Sequence, residues 1–203
     1  MHPVKNAQVG ENRLQIWDEK EQQPDMYGGE MDSQSLFTFI LEMAGTIAFA
    51  ASGAMVGAQR GMDIFGICVL GVVTAVGGGA TRDIILGIVP PGMFQNPIYT
   101  IVATVTSCIV FAIMYWKQEL LEGENRLVYD KIMLVMDSVG LGVFTVMGVD
   151  KGITEGYMGR TFFLVFLGTV TGVGGGLIRD MMAGVPPYIF VRHIYACASI
   201  VGA

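Results

Sequence analysis

The sequence predicts an all-α polytopic membrane protein made of two inverted three-helix repeats, with the second and fifth helices kinked at glycine triplets. Three observations carry this. Of the 203 residues, 52% are apolar and only 15% charged, whereas a soluble domain carries about 25% charged residues. Apolar runs recur that are long enough to cross a bilayer core of about 30 Å, which takes roughly twenty residues at 1.5 Å each. Finally, Thr74-Ala-Val-Gly-Gly-Gly-Ala-Thr-Arg-Asp83 returns as Thr171-Gly-Val-Gly-Gly-Gly-Leu-Ile-Arg-Asp180. Each copy is followed at nearly the same distance by a glycine, Gly87 or Gly184, and by a double proline, Pro90 and Pro91 or Pro186 and Pro187.

Residues 1–35 hold three basic and seven acidic side chains of a chain whose net charge is -6. This segment reads as an acidic flexible N-terminal tail rather than a secretory signal, so the spans themselves are expected to direct insertion. Its charge does not suit nucleic acid or anionic lipid.

The first repeat, residues 36–116, holds three spans: about Leu36 to Ala58, interrupted by Glu42; Ile64 to Pro90, through the first triplet; and Ile98 to Trp116, with Tyr115 and Trp116 suited to the interface. A charged connection at 117–131 follows. In the second repeat, residues 132–203, a fourth span runs from about Ile132 to Val149 with Asp137 inside, a fifth from Phe162 to Val185, and a sixth begins near His193. Since the chain stops at Ala203, before that helix can cross, it reads as a fragment of a longer sequence.

Outside the central motif, Glu42 matches Asp137, Gly45 matches Gly140, Phe49 matches Phe144, Phe94 matches Phe190 and Tyr99 matches Tyr195. Three spans per unit bring the second unit in from the opposite face, the inverted repeat of many transporters, whose sites lie at the midplane between repeats. Basic residues in the connections (Arg60, Lys117, Arg126, Lys131 and Arg192 against Lys151, Arg160 and Lys20) place the amino terminus outside.

Small residues are spaced for close packing in lipid. Gly53, Gly57 and Gly61 step by four, while Gly71, Ala75 and Gly79 match Gly168, Gly172 and Gly176. The three cysteines, Cys68, Cys108 and Cys197, lie in apolar runs without paired spacing, so neither disulfides nor zinc are expected and they read as small apolar residues. His193 has no companion ligand and reads as interfacial, so no metal or cofactor is expected. No Ser-His-Asp or Cys-His arrangement suggests an enzyme, and no Lys-Ser/Thr follows either glycine string as a phosphate-binding loop requires.

Glycine costs about 1 kcal/mol relative to alanine inside a helix, so Gly77, Gly78 and Gly79, and likewise Gly174, Gly175 and Gly176, are expected to kink or unwind it. Non-helical main chain at membrane depth must face protein or a wet cavity, which puts both triplets inside the molecule. There, freed carbonyls would suit a cation and freed amides an anion. Arg82 and Asp83, with Arg179 and Asp180, follow directly. Buried in the membrane, such charges need partners or water. One reading crosses them, Arg82 with Asp180 and Arg179 with Asp83, as a clamp; the other has them line or gate a permeation path. Glu42 and Asp137, read as lying near span ends with access to interfacial water, are either structural or functional carboxylates that attract cations or carry a proton.

Two copies of Gly-Gly-Gly-x-x-Arg-Asp, preceded by Phe49-Ala-Ala-Ser-Gly-Ala and Gly57-Ala-Gln-Arg-Gly-Met-Asp63, resemble the bacterial relatives of the trimeric intracellular cation (TRIC) channels, a domain also catalogued as a glycine transporter domain. The resemblance covers about Leu36 to Ala203. It implies seven helices, of which this chain lacks the seventh, and a homotrimer in the bacterial cytoplasmic membrane. It also implies a separate pore in each subunit, carrying potassium and sodium along the kinked second and fifth helices. Gly77 to Gly79 and Gly174 to Gly176 would then be hinges, and Arg82, Asp83, Arg179 and Asp180 charged lining positions. The same residues also suit a carrier for a small zwitterion such as glycine, an arginine holding the carboxylate and an aspartate the ammonium. Besides itself and the permeant solute, the chain's expected partner is membrane lipid, not nucleic acid.

Overall fold

In lipid the backbone must satisfy its own hydrogen bonds, and long apolar runs do so as helices. The structure, a computed structural model, describes residues 33–116, 125–187, 200, 202 and 203. Helix α1 covers Ser33–Gln59, α2 Ile64–Leu86, the one-turn α3 Gly92–Gln95, α4 Ile98–Trp116, α5 Asn125–Gly152 and α6 Thr161–Met182, and α5 runs on through a π-helical turn at Ile153–Tyr157. Five of these are long and apolar enough to cross a membrane, and no strand occurs among the described residues. The chain is a multi-pass membrane protein. The expected sixth span with His193, Phe190 and Tyr195, Cys197, the connection at 117–124 and the tail before Ser33 lie outside the described residues.

Helix ends follow the local chemistry. The Asp63 carboxylate accepts from the Gly66 amide at 2.7 Å and caps α2 at its start. Gly87 ends it with φ 75°, its amide reaching back to the carbonyls of Asp83 and Ile84, a left-handed conformation that glycine adopts without a Cβ penalty. The matching Gly184, with φ 65°, does the same two residues past α6. Gly61 is also left-handed, φ 67°, and a Cβ there would touch nothing. It is a turn glycine between α1 and α2, not the third step of a packing ridge, because α1 already ends at Gln59.

Two expectations need correction. Of the kink or unwinding expected at the glycine triplets, unwinding does not occur: α2 and α6 remain helical through Gly77–Gly79 and Gly174–Gly176. Close packing of the two helices on each other, described below, offsets the helix-propensity cost of the glycines. Asp137 does not lie near a span end either. Helix α5 starts at Asn125, seven residues earlier than expected, because Tyr129 packs against Met55 and Met114 and donates to the Met55 carbonyl at 2.6 Å. Asp137 is thereby carried into the buried middle of the helix.

All contacts used here lie within residues 38–203, which form one body. Helix α5 packs extensively on α6, and α2 on both α6 and α4. At the centre, the rings of Phe49 and Phe144, residues matched by the duplication, stack 5.3 Å apart, with Phe49 only 1% exposed. The two halves repeat their internal contacts. A Cβ on Gly53 would stand 2.9 Å from the Gly71 Cα, and one on Gly148 would stand 2.8 Å from the Gly168 Cα. Gly71 meets the Ala50 carbonyl as Gly168 meets that of Thr145. Such close approach is how helices associate where no water is displaced. The buried hydroxyls of Thr46, Thr74, Ser107 and Thr171 each donate to the carbonyl four residues back, so they enter the interior already satisfied.

Candidate functional site

The triplets are the place where α2 and α6 cross. A Cβ on Gly78 would run into the Thr171 carbonyl oxygen, and one on Gly175 into that of Thr74. On Gly174 it would stand 3.1 Å from the Gly78 Cα, and on Gly77 3.0 Å from Ile178 Cδ1. Gly77, Gly78, Gly174 and Gly175 are buried, while Gly79 and Gly176 are half-buried. The third glycine of each triplet faces the arginine of its own helix, Gly79 toward Arg82 and Gly176 toward Arg179. Both triplets therefore sit inside the molecule, as expected, although their carbonyls remain in helix.

The crossed pairing of charges is not formed among the described residues. Arg82 binds Asp83, with Nε at 2.9 Å and Nη2 at 2.8 Å from Oδ1, and Arg179 binds Asp180 through Nε at 2.8 Å. Residues pair across the crossing in antiparallel order, Gly78 with Thr171 and Gly175 with Thr74. Four residues beyond the glycines, roughly 6 Å of helix, the arginines have moved apart in opposite directions.

Their surroundings differ. The Arg179 side chain is 4% exposed, and its Nη1 donates both to Asp137 Oδ1 on α5 and to Ser52 Oγ on α1, the latter at 2.5 Å. Ser52 Oγ in turn donates to Asp137 Oδ1 at 3.0 Å. One guanidinium, two carboxylates and a hydroxyl thus join α1, α5 and α6, and charge-assisted bonds of this kind are about twice as strong as neutral ones. Arg82 is 14% exposed and, among the described residues, binds the carboxylate beside it. The other oxygen of Asp83 accepts from the Gly92 amide at 2.8 Å, tying Arg82 to the start of α3.

The matched carboxylates have also diverged. Asp137 is buried against Arg179, while half-buried Glu42 accepts from the Tyr99 hydroxyl of α4 at 2.5 Å. Sequence reasoning did not single out Ser52 or Tyr99 as site residues. For Ser52 the duplication gave no signal, since the matching position is Met147. Tyr99 was visible only as a repeated tyrosine. No group of three or more His, Cys, Asp or Glu side chains able to hold a metal ion occurs among the described residues.

Comparison with known proteins agrees with this architecture. The family described as Glycine transporter matches residues 39–115 and again 134–203, one match per repeat. The UPF0126 inner membrane protein YadS of Escherichia coli is 39% identical over 168 residues, 82% of this chain and 76% of that protein. A UPF0126 membrane protein of Deinococcus radiodurans is 38% identical over 165 residues, 80% and 72% of the two chains. Among solved structures, a prokaryotic TRIC channel in 0.5 M KCl shares 32% identity at a TM-score of 0.73, over 81% of this chain and 79% of that one. The TRIC trimeric intracellular cation channel orthologue from Rhodobacter sphaeroides shares 30% identity at 0.71, with the same coverage. These solved neighbours are channels and not enzymes.

Proposed function

The chain belongs to the glycine transporter family, and from that premise we propose that it is a monovalent cation channel of the bacterial inner membrane, assembled as a homotrimer with a pore in each subunit. The observation that carries the reading is the crossing of α2 and α6 at the glycine triplets, flanked by paired charges, in a chain 32% identical to a prokaryotic TRIC channel. The two helices touch at Gly78 and Gly175, so the path runs beside the crossing, past half-buried Gly79, Gly176 and Arg82, and the amino terminus lies outside.

An arginine beside a cation path repels the ion unless it is neutralised. Here Asp83 faces Arg82, and Asp137 and Asp180 together outweigh Arg179, so neither site presents net positive charge. Half-buried Arg82 is the charge placed to meet the ion, while Arg179 holds three helices together. Gly79 and Gly176 line the path, Gly77, Gly78, Gly174 and Gly175 close the crossing next to it, and Glu42 and Asp137 contribute to a negative potential that favours potassium and sodium.

Reconstitution into a planar bilayer tests this, with uptake of radiolabelled glycine measured on the same preparation. Unitary potassium and sodium currents are the expected result. Saturable glycine uptake without such currents overturns the channel reading and replaces it with a carrier.

A further inference from the structure

Cys68 on α2 and Cys108 on α4 hold their sulfur atoms 3.5 Å apart, although nothing in their spacing along the chain pairs them. Both are free and half-buried. The helices that carry them pack tightly at this level. A Cβ on Gly71, one turn beyond Cys68, would collide with Ser107 Oγ and stand 3.1 Å from the Ser107 Cβ, and Ser107 precedes Cys108. A disulfide needs its sulfurs at about 2.05 Å, so closing the gap takes an approach of about 1.5 Å.

We propose that Cys68 and Cys108 are a redox site that a small uncharged peroxide oxidises to an intramolecular disulfide, fastening α2 to α4. Cys68 is five residues inside exposed Asp63, which caps α2. That is roughly 7.5 Å of helix, a depth that hydrogen peroxide reaches and that charged disulfides such as oxidised glutathione do not.

In the first step one sulfur, losing its proton, attacks a peroxide oxygen; the O–O bond breaks, leaving a sulfenic acid and one water. The second sulfur, also losing its proton, attacks the sulfenic sulfur, the S–O bond breaks and a second water leaves. Two thiols and one hydrogen peroxide thus give one disulfide and two waters, and an added dithiol reverses the change. The device belongs to the first repeat alone, because Val165 occupies the position matching Cys68. Helix α2 meets α4 through Gly71 and α6 through Gly77 and Gly78, so the bond would immobilise the helix that forms one side of the crossing.

The test uses the full chain in lipid vesicles, carrying Cys197→Ser so that two thiols remain. After treatment with hydrogen peroxide and unfolding, a thiol-reactive maleimide should add to neither cysteine, against two additions before treatment and two again after dithiothreitol. The peptide pair holding Cys68 and Cys108 should lose two hydrogens, whatever oxygen the peroxide adds to methionines. Digestion of the unsubstituted protein provides a second measurement, in which the peptide containing Cys68 should appear joined to the one containing Cys108. Retention of both thiols, gain of oxygen without loss of hydrogen, or cross-linking only between chains overturns the proposal. Because the readout is covalent, it stands or falls separately from any measurement of current.

Discussion

Arg179 and Asp137 form a buried ion pair between α6 and α5, whereas at the matching position in the first repeat Glu42 takes the hydroxyl of Tyr99. Asp137→Ala leaves a guanidinium that is only 4% exposed with one carboxylate fewer, a loss that costs about 3–5 kcal/mol. Glu42→Ala removes one hydrogen bond at a half-exposed site, about 1–2 kcal/mol. Thermal unfolding in detergent should therefore rank the two variants in that order, and equal losses would contradict the asymmetry.

Gly78→Ala and Gly175→Ala each set a Cβ against a backbone carbonyl on the opposite helix, which cannot swing aside as a side chain can. Overpacking of this kind costs about 1–3 kcal/mol. Gly61→Ala meets only its own left-handed backbone, about 1–2 kcal/mol. The first two substitutions should lower both thermal stability and ion flux, and the third should leave flux unchanged.

Arg82→Gln exposes the charge of Asp83 to the proposed path while disturbing no other described pair. At about 8 Å in a water-like medium one unit charge is worth ~0.5 kcal/mol, so cation current should rise roughly twofold. Because the Asp83 side chain is only 5% exposed, losing its cation should also lower the melting temperature, so current is compared per folded channel. An unchanged current from well-folded protein would remove Arg82 from the pathway.

Asp83→Asn weakens the hold of α2 on the start of α3, where the carboxylate accepts from the Gly92 amide. The loss is about 1–2 kcal/mol. Hydrogen–deuterium exchange should speed up in peptides covering residues 88–97 and stay constant across α5 and α6.

Much of this architecture is legible in the residues themselves. The doubled motif revealed the two units, their matched contacts and the interior position of both triplets, since Gly-Gly-Gly beside Arg-Asp has no place facing lipid. What the residues concealed were balances of energy. Three glycines weaken a helix, yet the bilayer penalises open backbone more, and contact with the partner helix keeps both segments wound. The depth of Asp137 depended on where α5 begins, which a buried Tyr129 decides and local polarity does not. The partners of Arg179 lie 42 and 127 residues away, too far for any local pattern to connect.

Ser52 belongs to the first repeat yet completes the charge cluster of the second, and the second repeat carries buried Met147 in its place. A thioether cannot donate to a carboxylate. Two copies of the later half, brought together as separate chains, would thus lack the hydroxyl that Asp137 receives, and two copies of the earlier half would offer the hydroxyl without its aspartate. The cluster therefore draws on two unlike halves, and a pair of identical halves would not reproduce it.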